Sequence, residues 1–187
     1  MRGDVSLISK FDKTKILLDN NIDLVVELPV CKTLNSADFF GDQTIKILSK
    51  FGITDLAFGI EDGKSETLYS IFNIINSDKF EDLIKNNINN EISYKNAFSQ
   101  VFKDMSNDND LLDYLEKPNF TLALQYLKAV QKYNRNINIH PIPRIDNYYN
   151  NENDINFKSA YSLRQMINNQ EDISNYIACD QSIIQNI

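Results

Sequence analysis

Two short apolar runs, each lying between stretches of helical period, constrain the fold of this chain more than any other feature. The first run is "IDLVVELP" at residues 22–29, and the second is "ITDLAFGI" at residues 53–60. Short apolar runs that are rich in β-branched residues and flanked by helices are typical of parallel strands buried on both faces. The first third of the chain therefore predicts the order α-β-α-β-α and an α/β layer fold with a parallel sheet.

Capping residues and helical spacing define the elements around these runs. Residues 9–20 and 35–52 both carry apolar side chains at helical spacing. The second of these helices is predicted to begin at an Asn35 or Ser36 cap and to end at Gly52. A strand, a helix and a second strand then follow one another closely enough to form one parallel crossover unit.

The middle of the chain is predicted to be a helical insertion at about residues 64–134. Its helices are expected at residues 65–76 after a Ser65 cap, and at residues 78–88, 93–105 and 117–134. A third strand is predicted at residues 137–145, a polar loop at 146–157, a helix opened by Ser159 at 159–168 and a further helix at 170–178. Since no repeat or linker interrupts the sequence, residues 1–187 are treated as one domain.

Composition and charge narrow the class of protein. The net charge is −7 and the pI is about 4.7, which argues against a strong general nucleic-acid binder, because counterion release needs a basic surface. The first residues have no apolar segment of the signal-peptide kind, and no run is long enough to cross a bilayer. Cys31 and Cys179 lack metal-ligand spacing. We expect a cytoplasmic protein with reduced thiols, without a metal site and without a membrane partner.

Two candidate positions lie near the carboxyl ends of the first two predicted strands, where ligands bind in open parallel sheets. Glu27 could hold a substrate group, or it could cap a neighbouring helix or face water. Gly59 has no side chain and would let the flat face of a ligand approach the backbone. The alternative for Gly59 is a β-bulge or a close contact between strands.

Further candidates lie at two predicted helix starts and at the end of the third predicted strand. Asn119 follows Pro118 and offers an amide that both donates and accepts hydrogen bonds, although it could simply cap the helix. Arg144 ends the third predicted strand. The start of the helix at 159–168 carries Ser159, Ser162 and Arg164, a group that suits a phosphate at a helix N-terminus. The alternative is a solvated arginine on an ordinary capped helix.

Six segments, taken in order, resemble a known family. They are "RGDVSLISKFDKTKILLDNNIDLVVELP", "SADFFGDQTIKIL", "LAFGIEDG", "KPNFTLALQYL", "PRID" and "KSAYSLRQMI". Together they are similar to the bacterial tRNA(Met) cytidine acetate ligases, within the nucleotidyltransferase superfamily that has a His-x-Gly-His signature. The resemblance covers residue 2 to about residue 170. It implies a Rossmann-like parallel sheet of the nucleotidyltransferase type.

The resemblance also implies an activity. Members of the family use ATP, expected together with Mg²⁺, to activate acetate as acetyl-adenylate, and they then acetylate N4 of the wobble cytidine of elongator tRNA(Met). ATP, acetate and tRNA(Met) are therefore the expected cofactor and partners.

The resemblance assigns roles to residues of this chain. It implies that Gly59 lies against the nucleotide, that Asn119 hydrogen-bonds it, and that Arg144 with the backbone of Ile145 completes the pocket. It places Ser159, Ser162 and Arg164 on the phosphate side, and it makes Glu27 and Pro29 the floor of the same site.

One departure from the family pattern concerns histidine. The chain has a single histidine, His140, in "NIHPIP", so the family motif is not present in these residues and the catalytic groups are unknown. His140 is expected to be only a strand-end residue. We expect a fragment that is inactive or partial, that lacks the first β-α unit of the sheet, and that self-associates through an exposed sheet edge. The alternatives are a small-molecule nucleotidyltransferase and a non-catalytic nucleotide-binding module.

Overall fold

The structure is a computed structural model that describes residues 6–61, 65–88, 92–108, 110–143, 158, 160–177 and 179. The chain separates into two compact units, one formed by residues 1–33 with 146–187 and the other by residues 34–145. The prediction of a single domain over residues 1–187 stays a prediction.

Helices make up most of the described residues. They are α1 (Lys10–Asp19), α2 (Val30–Thr33), α3 (Ala37–Leu48), α4 (Ser65–Ile75), α5 (Asp78–Asn87), α6 (Tyr94–Ser106), α7 (Leu111–Glu116), α8 (Pro118–Tyr133) and α9 (Ala160–Asn168). Short 3₁₀ segments cover Ser49–Phe51 and Ser174–Tyr176, and the strands are β1 (Asp55–Ile60) and β2 (Asn138–Pro143). The predicted helices near α1, α3 to α6, α8 and α9 are therefore confirmed. The six-residue helix α7 is too short for its period to be read from the sequence.

The unit of residues 34–145 is built on a parallel pair of strands. β1 and β2 pair in one unbroken register from Asp55 with Asn138 to Ile60 with Pro143. The connection between them runs through α4 to α8, which is the helical insertion predicted from the sequence. Side chains alternate along β1, so that Leu56, Phe58 and Ile60 turn towards the helices while the residues between them are exposed. The expectation that β1 is buried on both faces is therefore wrong for this strand.

A large apolar cluster joins β1 to the helices of the insertion. Phe102, Phe120, Ile60, Leu68 and Ile71 have no exposed surface, and they pack with neighbours from α5, α6 and α8. A smaller cluster is formed by buried side chains of α3, α8 and the residues before β2, namely Ile45, Ala129, Val130 and Ile137. Helix α8 contributes to both clusters, so it is the element on which this unit is assembled.

The unit of residues 1–33 and 146–187 departs from the sequence predictions at two places. Residues 22–29, predicted as a strand, form neither strand nor helix, and Leu24 is 65% exposed. A strand needs a hydrogen-bonded neighbour, and β1 and β2 pair only with each other within the described residues. The helix predicted at 170–178 shortens to one 3₁₀ turn, because Asp172 accepts a hydrogen bond from the Ser174 N–H at 2.9 Å and competes with helical bonding.

Close packing of α3 against α8 depends on Gly41. A Cβ atom at this position would lie 2.8 Å from the Cβ of Gln125 on α8. One residue further on, Asp42 accepts hydrogen bonds from Lys132 Nζ at 2.7 Å and from the Tyr133 hydroxyl at 2.9 Å. Burial alone would raise the pKa of Asp42, but these hydrogen bonds outweigh burial and hold the pKa below its ordinary value. The glycine therefore sets the distance at which the polar contacts form.

We predict that Gly41→Ala destabilises the protein by about 1–2 kcal/mol, since forced overpacking exceeds the gain in helix propensity. Thermal unfolding followed by circular dichroism measures the change. Asn96→Ala, at an exposed position of α6, is the matched control and should leave stability unchanged or slightly raised. A Gly41→Ala variant as stable as the unaltered chain would contradict the packing argument.

Candidate functional site

The carboxyl ends of β1 and β2 meet at one edge of the sheet. Ile60 pairs with Pro143 as the last residue pair of the ladder. Glu61 directly follows β1 in the sequence, and Arg144 directly follows β2. Ligands of open parallel sheets bind beyond this edge, so the residues that follow the two strands are the first candidates for a site.

Glu61 links this edge to the start of α8. One carboxylate oxygen, Oε1, accepts a hydrogen bond from the Asn119 N–H at 2.7 Å. The other, Oε2, accepts one from the Phe120 N–H at 2.8 Å. The two bonded residues lie 58 and 59 positions further along the chain. The predicted neighbours Gly59 and Asn119 are thereby tied to the same edge of the unit.

The local sequence explains why α8 needs a partner from elsewhere. Its N-cap residue, Lys117, is extended, and its side chain makes no capping hydrogen bond. Pro118 occupies the first helical position and has no N–H. The next two N–H groups have no acceptor within the helix, and a carboxylate also suits the positive end of the helix dipole. Glu61 therefore supplies an acceptor for each of the two N–H groups that this helix start leaves without one.

Asn119 is partly buried, and it is not the cap of α8. Its backbone N–H donates to Glu61. The side-chain amide has no hydrogen-bond partner among the described residues, yet it is not a buried unsatisfied group. The alternative of a simple capping asparagine is therefore wrong. The predicted hydrogen bond from this amide to a nucleotide stays a prediction.

Gly59 lies on the exposed face of β1, two residues before Glu61. It pairs with Ile142, and the register continues without interruption on both sides. The alternative of a β-bulge at this glycine is therefore wrong. An exposed glycine at the end of a regular strand leaves its backbone accessible to a flat group.

The remaining predicted site residues belong to the other unit or lie outside the described residues. Arg144, Ile145 and Ser159 are not described, so their roles stay predictions. Ser162 and Arg164 lie in α9 and are partly buried.

Glu27 takes part in an ion pair. Its two carboxylate oxygens lie 2.9 and 3.0 Å from Lys10 Nζ, and both side chains are largely exposed. This contact is of the surface kind, which contributes little to stability. Pro29 ends the irregular segment 22–29, and its role in the floor of a site stays a prediction.

His140 belongs to a polar cluster near the opposite edge of the sheet. Its Nε2 lies 2.7 Å from Asp55 Oδ1, and the same carboxylate accepts hydrogen bonds from Thr54 and Asn138. His140, Thr54 and Asn138, in that order, hold the pKa of Asp55 below its ordinary value. His140 lies at the third position of β2, so the prediction of a strand-end residue is wrong.

Within the described ranges, no group of three His, Cys, Asp or Glu side chains is arranged to hold a metal ion. Cys31 and Cys179 are not joined in a disulfide. None of the helices in the described part of the chain combines the length and apolar character that crossing a bilayer requires.

Comparison with known sequences shows a family. A profile described as HIGH Nucleotidyl Transferase matches residues 1–186. The tRNA(Met) cytidine acetate ligase of Thermosipho africanus is 35% identical over 181 residues, which are 94% of this chain and 43% of that protein. The tRNA(Met) cytidine acetate ligase of Bacillus mycoides is 34% identical over 180 residues, 94% of this chain and 46% of that protein.

Comparison with solved structures agrees. Thermotoga maritima TmcAL bound with alpha-thio ATP matches with a TM-score of 0.70 and 26% identity, covering 88% of this chain and 39% of that chain. The apo form of the same protein matches with a TM-score of 0.74 and 24% identity, covering 96% of this chain and 44% of that chain, which shows the fold.

Fold, strand-end site and relatives together define an α/β protein with a parallel sheet of the nucleotidyltransferase type, as the sequence predicts. The chain belongs to the HIGH nucleotidyl transferase family. The predicted resemblance to the tRNA(Met) cytidine acetate ligases is confirmed. The chain spans 43% and 46% of the length of these two relatives, which is less than half of either.

We predict that His140→Ala raises the pKa of Asp55 towards its ordinary value, because the strongest of the stabilising hydrogen bonds is lost. Carboxyl ¹³C shifts followed through an acid titration measure this pKa. Thr54→Val is the matched comparison and should raise the pKa by less, since its hydrogen bond is the weaker contribution. An unchanged pKa in His140→Ala would show that the imidazole does not stabilise the carboxylate.

Proposed function

We propose that this chain is the nucleotide-binding part of a tRNA(Met) cytidine acetate ligase, with ATP held by Gly59, Asn119, Arg144 and the backbone of Ile145. One observation carries the proposal most directly. Glu61 ties the start of α8 to the end of β1, so an exposed glycine and a free side-chain amide belong to the same edge of the sheet. The match to a relative solved with alpha-thio ATP supports the choice of nucleotide.

The proposed reaction has two steps. An acetate oxygen attacks the α-phosphorus of ATP, the bond to the β-phosphate breaks, and acetyl-adenylate and pyrophosphate form. The N4 amine of the wobble cytidine of tRNA(Met) then attacks the acetyl carbon, and AMP leaves as the amine loses a proton. The names of the relatives support tRNA(Met) as the substrate class.

The phosphates need their own binding groups. We assign Ser159, Ser162 and Arg164 to the phosphate side, because a helix N-terminus with hydroxyl groups and a guanidinium suits an anion. Mg²⁺ would accompany the triphosphate, as it usually does in nucleotide sites, and it would neutralise part of the phosphate charge. Glu27 and Pro29 complete the proposed floor.

The histidine motif to which the superfamily resemblance assigns stabilisation of the transition state is not among these residues. The only histidine of the sequence is His140, so the 187 residues hold no His-x-Gly-His motif. A step that depends on that motif would draw on groups outside this sequence. The net charge of −7 likewise does not favour these residues as the main tRNA contact.

A second candidate function is a nucleotide-binding module without turnover. The single histidine favours it, since the proposed pocket would bind ATP but would lack the charge stabilisation that the superfamily motif supplies. Pyrophosphate release from ATP and acetate distinguishes the two candidates. Release above the uncatalysed rate supports the ligase, whereas binding without release supports the module.

We predict that the chain binds ATP and AMP weakly and that Asn119→Ala and Arg144→Ala each lower the affinity about tenfold, the worth of one well-placed polar contact. Isothermal titration calorimetry measures both affinities. Asn96→Ala and Arg135→Ala are the matched controls. Asn96 is exposed on α6, and Arg135 lies past the far end of α8, which is 16 residues or about 24 Å long. Absence of binding heat with the unaltered chain would refute the nucleotide pocket.

We further predict self-association, because each of the two described strands has one strand neighbour among the described residues, which leave its other edge unpaired. Sedimentation velocity at increasing protein concentration should show a rise in mean mass. Ile142→Lys places a charge on β2 and should shift the distribution towards the monomer. Ile88→Lys, on another exposed isoleucine after α5, is the control that should change nothing. A monomer at every concentration would contradict this prediction.

A further inference from the structure

We propose that Glu61 is a positioning residue of the nucleotide pocket and that it acts through Asn119. The inference rests on the proposed function and adds a residue to which neither the sequence pattern nor the relatives assign a role. Both oxygens of its carboxylate are engaged by successive backbone N–H groups of α8, at 2.7 and 2.8 Å. These are short, charge-assisted hydrogen bonds of the stronger class.

The geometry differs from that of an ordinary helix cap. Helices α5 and α6 are capped by Ser77 and Ser93, each of which accepts from an N–H three residues further on. Such local caps stabilise a helix without fixing its place relative to the sheet. Glu61 caps α8 from the end of a strand, 58 residues away in sequence. Its carboxylate therefore fixes where the helix starts with respect to β1.

Glu61 affects the side chain of Asn119 because the N–H that Glu61 binds and the side-chain amide belong to the same residue. Fixing the backbone of Asn119 limits the positions that its side chain can reach. The amide is kept beside the end of β1, where Gly59 lies two residues before the carboxylate. A polar group that is already oriented binds a ligand with a smaller loss of conformational entropy. Glu61 thus raises nucleotide affinity without touching the nucleotide.

The principal test compares Glu61→Gln with Ser77→Ala. Glutamine keeps the length of the side chain but presents an NH₂ group to one of the two N–H donors, so one hydrogen bond is lost. Ser77→Ala removes the cap of α5 and serves as the structural control. ATP affinity is measured by calorimetry well below both melting temperatures. We expect about a tenfold loss of affinity for Glu61→Gln and less than about a twofold change for Ser77→Ala.

A double variant reports whether Glu61 acts through Asn119. If it does, Glu61→Gln combined with Asn119→Ala binds ATP no more weakly than Asn119→Ala alone, because residues that act as one unit are not additive. Losses that multiply would overturn the positioning role. Glu61→Asp keeps the charge on a shorter side chain and provides a second variant if Glu61→Gln does not fold. It should lower affinity while the amide NMR signals outside the start of α8 stay in place.

Failure of this inference is distinguishable from failure of the proposed function. If the unaltered chain and Glu61→Gln bind ATP equally, the pocket stands and the role of Glu61 is overturned. If the unaltered chain binds no ATP, the pocket is overturned together with the role of Glu61 in it.

Discussion

The rest of the unit 34–145 depends on the two hydrogen bonds between the Glu61 carboxylate and the first turn of α8. These hydrogen bonds hold two successive residues, Asn119 and Phe120, whose side chains lie in different environments. Phe120 is fully buried in the main core and lies 5.1 Å, centroid to centroid, from the ring of Tyr114. Asn119 lies at the edge of the sheet, and its side-chain amide has no hydrogen-bond partner among the described residues. The Glu61 carboxylate therefore fixes the position of Phe120 in the core and the position of Asn119 at the edge of the sheet.

Elements with local signals could be predicted from the sequence, whereas those that depend on a distant partner could not. Apolar spacing indicates helices α3 and α8. Gly52, in the left-handed region at φ 68°, ends the 3₁₀ segment Ser49–Phe51 that follows α3, and Pro118 begins α8. The run at 22–29 has the residue types of a strand, but a strand exists only when another strand bonds to it. Residue type alone therefore overpredicts strands, as it does here.

The same limit applies to the site. The sequence predicts Gly59 and Asn119 as site residues because a glycine at a strand end and an asparagine after a helix-opening proline are local patterns. Glu61 lies within the segment "AFGIEDG" but is not predicted as a site residue, since its partners are 58 and 59 residues away. The sequence does contain a signal that α8 needs an acceptor from another part of the chain. Pro118 follows a lysine that cannot accept an N–H bond, so the helix start had to find an acceptor elsewhere.

Nucleotide binding and chemistry make different demands on a chain of this family. The cluster that supports α8 and β1 draws its buried residues from positions 60 to 127, all within the unit 34–145. The backbone that carries Gly59 and Asn119 therefore rests on a core formed inside that unit. Charge stabilisation by histidines is a separate requirement, because it demands particular side chains rather than a fixed backbone edge. The pocket proposed at Gly59 and Asn119 concerns only the first requirement, so nucleotide binding and catalysis are separate properties that need separate measurements.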